Sequence, residues 1–302
     1  MTNSSDQDKA KGEPWYPSRF GADDEIGALN FLQPENILAA TALVKRGETY
    51  SLAIPTGPET PAYPPRSFQM NIVSPGQYGG STWGKNKAGG IDEFFTVWPG
   101  IGTHFDGLGH IAIGHKFYNG SPSEEVYDHT GVKKFGTETI PPIVTRGVLL
   151  DIAALRGVDI MEPGDVITPG DIEAAMERQG VEIRSGDVVM LRTGWIKTAE
   201  TEPEKFIGSV PGLGKTGAQY LADAEVVIIG VDQYSTEVMP AEDADEFIPV
   251  HQLDLAINGV YHLQNVMLED LARDGVNEFM FVLGLPKFVG ATQMTANPVA
   301  IC

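Results

Sequence analysis

The 302-residue sequence holds one cysteine, Cys302, at its last position. A single thiol forms no internal disulfide and supplies no thiolate cluster, so a disulfide framework and a cysteine-based metal site are both excluded. Basic residues are scarce as well: 21 Lys and Arg stand against 41 Asp and Glu, a formal net charge of −20. Phosphate backbones and anionic lipid need clustered Lys and Arg, so neither nucleic acid nor a membrane surface is an expected partner. No stretch approaches the roughly 20 apolar residues of a membrane span. The longest, such as Val226-Val227-Ile228-Ile229, are strand-sized. Residues 1–14 are polar and lack the apolar segment of a secretory signal, which gives the expectation of a cytoplasmic protein. Two common catalytic motifs are missing too. No serine sits in a Gly-x-Ser-x-Gly elbow, and Ser209-Val210-Pro211-Gly212-Leu213-Gly214-Lys215-Thr216 has Ser209 where a phosphate loop needs its first glycine.

Hydrophobic residues make up 42% of the chain, enough for a sizeable core. Residues 1–14 read as a disordered arm, and 15–302 as one integrated domain without a linker. Pro34 to Lys45 has helical spacing and Gly47 beyond it as a stop, and Tyr50 to Ile54 reads as a short strand. Residues 55–90, rich in Gly and Pro, read as a long loop or lid. From residue 140 the pattern is regular. Strands are expected at 147–152, 187–192, 225–231 and 278–285, and helices at 168–179, 213–224, 250–257 and 268–273. The elements mix without strict alternation, so the expected fold class is α/β, in a mixed α+β arrangement.

Chemistry concentrates in Gly100-Ile101-Gly102-Thr103-His104-Phe105-Asp106-Gly107-Leu108-Gly109-His110. In extended chain, residues i and i+2 share a face, so His104 and Asp106 converge on one point. The glycines at 102, 107 and 109 let the backbone turn and bring His110 back toward it. An imidazole beside a carboxylate suits a divalent ion such as zinc or manganese. Phe68, Trp83, Phe94, Trp98 and Tyr118 are candidates to stack on an aromatic substrate, with core packing the alternative for each. Arg66, after Pro64-Pro65, is a candidate to pair with a substrate carboxylate, with an exposed structural arginine the alternative.

The segment from Gly102 to His110 resembles the His-x-Gly-Thr-His-x-Asp-x-x-x-His motif of the cyclase-like metal-dependent hydrolases, the family of bacterial kynurenine formamidase and isatin hydrolase. The resemblance runs along nearly the whole chain. It includes Phe20 to Asn30, Phe117-Tyr118-Asn119-Gly120, Gly230-Val231-Asp232, His251 through Gln264-Asn265, and Asn297-Pro298-Val299-Ala300. It implies the swivelling β/β/α cyclase fold, His104 and Asp106 as metal ligands, His110 as general acid or base, and His251 and Gln264 completing the site. It also implies homodimers or homotetramers. The implied activity is hydrolysis of an amide, cyclic amide or lactone by metal-activated water. A lyase or cyclase, or a non-catalytic binding protein, are the alternatives. Two departures stand out. Gly100 occupies the position of the first motif histidine, and Gln264 that of a downstream glutamate. The loss of one imidazole and one negative charge implies a single Mn2+ or Zn2+ per subunit.

Overall fold

The apolar runs of the sequence become the centre of a nine-stranded mixed sheet. The computed structural model describes residues 15–73 and 80–302, so the expected arm at 1–14 lies outside the described residues. In chain order the strands that matter here are β1 (Thr49–Ser51), β2 (Phe68–Val73), β3 (Asp92–Val97), β4 (His104–Asp106), β5 (Ile143–Asp151) and β6 (Val188–Arg192). They continue with β7 (Ile228–Val231), β8 (Tyr261–Gln264), β9 (Glu278–Leu283), β10 (Gln293–Thr295) and β11 (Val299–Ile301). The sheet order is β1-β11-β9-β5-β6-β7-β8-β4-β10. Strands β5 to β8 run parallel, and the strands outside them pair antiparallel. Their composition explains this: apart from Arg192 at the end of β6 and Gly230 in β7, both strands consist of Val, Ile, Leu and Met, and both are buried throughout, as parallel strands covered on both faces require.

Helices α1 (Pro34–Thr41), α2 (Pro169–Gln179) and α3 (Lys215–Asp223) accompany the sheet. α2 has a full set of local signals. Thr168 and Asp171 form a reciprocal capping box, Pro169 opens the first turn, and Gly180 closes the helix at φ +67°. One large apolar core joins these elements, and a smaller cluster gathers around Trp195 and Phe206. Arg146 lies inside β5, 4% exposed, with Nε and Nη2 on Asp187 at 3.0 and 2.6 Å and Nη1 on Glu278 at 2.6 Å.

Three features differ from expectation. The loop expected over 55–90 contains β2, which pairs antiparallel with β3. Its alternating Phe68, Met70 and Ile72 are flanked by Pro- and Gly-rich chain, and its partner is remote in sequence. The helix expected at 250–257 is α-helical only over Pro249–His251 and continues as a π-helix over Gln252–Asn258. Strands β8, β10 and β11 are three or four residues long, too short to show a period, and were not anticipated.

Candidate metal centre

Strand β4 lies between β8 and β10, and register fixes which side chains meet. Asp106 pairs with His262 on one side and Gln293 on the other, while His104 pairs with Gln264 and Thr295. The i, i+2 rule then places His104 and Asp106 on one face, with His262 and Gln264 beside them. All four are essentially inaccessible to solvent.

Each imidazole is oriented by the nitrogen it does not offer. His104 Nδ1 donates to the Gly102 carbonyl at 2.8 Å, so its Nε2 lone pair faces Asp106 Oδ1 at 3.5 Å. His251 Nδ1 donates to Glu237 Oε1 at 2.6 Å, leaving Nε2 3.6 Å from Asp106 Oδ2. His262 Nε2 lies 2.9 Å from Asp254 Oδ2, which leaves Nδ1 free. Carboxylate or carbonyl partners of this kind set tautomer and ring angle in metal-binding histidines. His104 Nε2, Asp106 Oδ2 and His262 Nδ1 are buried and have no hydrogen-bond partner. Buried polar atoms without partners are rare, and here three belong to one cluster. Donor atoms of Asp106, His251 and His262 lie within 4.8 Å of each other. Two ligands each about 2.1 Å from a tetrahedral ion stand about 3.4 Å apart, close to the two spacings at Asp106. Asp106, His251 and His262 thus offer donors that could hold one divalent cation, with His104 Nε2 against the other oxygen of Asp106. Gln264 reaches His251 Nε2 with its amide at 2.9 Å and offers a neutral oxygen after a half-turn.

The local backbone serves this arrangement. Ile248 adopts φ +47°, a conformation that a β-branched residue avoids by roughly 1–2 kcal/mol. Pro249 then starts the turn that carries His251. Glu237 Oε2 accepts the amide protons of Val250 and His251 at 3.1 and 3.0 Å, so one carboxylate caps the turn and aims the ring. Only Gly102 of the three motif glycines needs its freedom, at φ +64°. Gly107 and Gly109 are required by space, since a Cβ would stand 3.0 Å from the Thr292 carbonyl and 3.3 Å from that of Phe135.

Charge is unevenly held. Burial alone would raise the Asp106 carboxyl, but the imidazoles of His104, His110 and His251 hold it well below the usual carboxylate range. Burial would lower His251, yet Glu237 and Asp106 overcome it and raise the ring to about 10. Two carboxylates thus call for a cation at this point, and in the ion's absence the His251 proton supplies it. Burial pushes His110 down to about 4, so it is neutral at physiological pH.

The structure brings several of the candidate residues together and leaves others apart. His104, Asp106, His251 and Gln264 come together, and His110 stands beside them, 6.3 Å from His251 between ring centres. His110 borders cavities of about 460 and 650 Å3, the first shared with Pro99, Phe117 and Gln293, the second with Phe247 and Gln252. A larger cavity of about 960 Å3, around Ile54, Pro61, Ile196 and Met267, contains none of the cluster. Phe68 lines a further cavity with Met70, Phe95 and Thr103, and stacks on Phe95. Trp83, Phe94 and Trp98 are about half exposed. Tyr118 is a correction. It is fully buried, and its hydroxyl is shared with Asp24 and Ser18 at 2.7 and 2.6 Å, so it presents no face to a ligand. It belongs to a latch in which Asn119 bonds the carbonyls of Gly21, Ala22 and Asp24. His262, Glu237 and Asp254 were missed. His262 was within reach of the same i, i+2 rule, being two residues before Gln264.

The mixed sheet, with a buried His and Asp cluster on a short antiparallel strand, defines an α/β protein with a candidate cation site at that strand. A model of the Cyclase family matches residues 50–238, well over half of the chain, and the chain belongs to that family. A search of curated protein sequences finds no match. The crystal structure of a novel cyclase is 28% identical with a TM-score of 0.85, covering 94% of this chain and 98% of its own. Isatin hydrolase A from Ralstonia solanacearum is 21% identical with a TM-score of 0.65, over 89% of this chain and 97% of its own. A potential metal-dependent hydrolase with cyclase activity is 18% identical with a TM-score of 0.54, over 84% and 98%. The last two share the fold.

Proposed function

We propose that the protein is a metal-dependent hydrolase that opens an amide, cyclic amide or lactone and releases a carboxylate. The observation that carries this reading is the set of buried, unpartnered atoms His104 Nε2, Asp106 Oδ2 and His262 Nδ1, with His104 and His251 against the two oxygens of Asp106, beside a neutral His110. A bound Mn2+ or Zn2+ supplies a water that ionises near neutral pH and a positive charge for a developing oxyanion. His104, Asp106, His251 and His262 would hold the ion. Gln293 Nε2 donates to Asp106 Oδ1 at 2.6 Å and fixes that carboxylate. His110, uncharged at neutral pH, accepts a proton from water and returns it to the departing nitrogen or oxygen. The balance is one water per bond: hydroxyl joins the carbonyl carbon, the C–N or C–O bond breaks, and the proton leaves with the amine or alcohol.

The test is a panel of formyl amides, cyclic imides and lactones assayed with Mn2+ or Zn2+ in 18O-labelled water. One labelled oxygen should enter the new carboxylate, and Asp106→Asn and His110→Ala should each abolish turnover. Activity surviving both substitutions would overturn the reading, and turnover without label would favour elimination. We also propose self-association as a homodimer or homotetramer, supported by the exposed apolar side chains of the β2–β3 hairpin, among them Met70, Ile72, Phe94 and Phe95. A monomer by light scattering would contradict it.

A further inference from the structure

A cation that belongs to the protein itself stands in the cluster. A Cβ built on Gly100 would lie 2.5 Å from Arg66 Nη1, 2.7 Å from its Cζ and 3.0 Å from Gln293 Nε2. The space left by the missing side chain is thus filled by a guanidinium. Arg66 is only partly exposed, and Nη1 donates to the Gly100 carbonyl at 2.7 Å. Among the described residues that is its one side-chain hydrogen bond, and it forms no ion pair there. The neighbouring carboxylate oxygen, Asp106 Oδ1, is already taken by Gln293.

A guanidinium has five N–H donors in a planar fork that matches a carboxylate. Held in place by a backbone carbonyl, partly exposed and, among the described residues, without an acidic partner, most of that fork is unspent. We infer that Arg66, seated in the space opened by Gly100, is an anion subsite for the carboxylate of a small organic acid. The inference rests on the proposed reading of the cluster as the ligand site. It makes the favoured ligands carboxylate-bearing amides or lactones, or the carboxylate products themselves. Trp98, about half exposed, lies two residues from Gly100 in the chain, and benzoate is the simplest aromatic acid with which to probe the subsite.

The test uses benzoate, with benzamide as its uncharged isostere, titrated calorimetrically into full-length protein both stripped with EDTA and loaded with Mn2+. Benzoate should bind the stripped protein at one per chain, at least tenfold more tightly than benzamide. Arg66→Gln should remove that tenfold preference without changing Mn2+ stoichiometry. Gly100→Ala, whose new methyl displaces a flexible side-chain end, should reduce benzoate binding while keeping every charge. Equal binding of the two probes, or benzoate binding unaltered in Arg66→Gln, would overturn the inference even if Mn2+ binds. Selective benzoate binding lost in Arg66→Gln supports it even if Mn2+ fails to bind, an outcome that would instead sink the hydrolase reading. Comparing KM for a carboxylate-bearing substrate with that for its methyl ester then separates substrate from product recognition.

Discussion

Glu237→Gln isolates the role of a carboxylate that reaches the candidate metal site only through His251. Oε1 accepts from Ser235 Oγ and His251 Nδ1, both at 2.6 Å, and Oε2 accepts two backbone amide protons near 3.0 Å. A glutamine has one oxygen and must turn its NH2 toward one of these pairs. Facing the amides, it sets donor against donor at two buried N–H groups, at about 1–3 kcal/mol each. Facing the ring, it accepts no proton from Nδ1 and forces the tautomer with Nε2 protonated, which cannot bind an ion. Losing the charge also weakens the hold on the His251 proton, which by itself favours the ion; the wrong tautomer opposes it at every pH and outweighs it. Mn2+ affinity should therefore fall about 10- to 100-fold, the usual effect of removing a partner behind a metal-binding histidine. Isothermal titration of EDTA-stripped protein measures it, with circular dichroism confirming the fold. An affinity within threefold of wild type in a folded variant would refute the reasoning.

Further outcomes follow from the same geometry. The folded His251 value lies above the ordinary 6.5, so its stabilising effect is complete below pH 6.5 and disappears as pH rises toward 10. Ion-free protein should accordingly melt at lower temperature at pH 9.5 than at pH 7, and Mn2+ binding at pH 7 should release close to one proton, read from buffers of different ionisation enthalpy. No dependence of binding heat on buffer would contradict this. Because His110 titrates near 4, its ring should remain neutral at pH 5.5 by 15N NMR, where an unperturbed imidazole is largely protonated. His110→Gln should keep the ion yet lose about 10²–10⁴ in kcat, measured by steady-state assay. Arg146→Met strands Asp187 in the core and should cost about 3–5 kcal/mol by denaturant unfolding. Arg146→Met/Asp187→Leu should recover much of it.

How much of this was legible in sequence depended on range. Parallel strands β6 and β7 and helix α2 announce themselves, because their burial and capping are local. His104 and Asp106 were legible for the same reason: two positions on one extended segment meet by covalent geometry. What remained hidden is set by register between distant segments. His262 and Gln293 flank Asp106 only because β8 and β10 pair with β4, and such short strands carry no period. Glu237 is 14 residues from His251 and joins it through a turn that begins at a strained Ile248. Tyr118 misled because aromatic type says nothing about which way a ring packs. Gly100 stands where the resembling motif has a histidine, but nothing in the sequence shows that Arg66 fills the space.

The most direct measurement is the metal content of the purified protein, and of its His104→Ala and Asp106→Asn variants, after incubation with Mn2+ or Zn2+ and desalting. The account predicts close to one ion per chain in the wild type and close to none in either variant. A wild-type protein that retains no ion, or variants that retain as much, would contradict it.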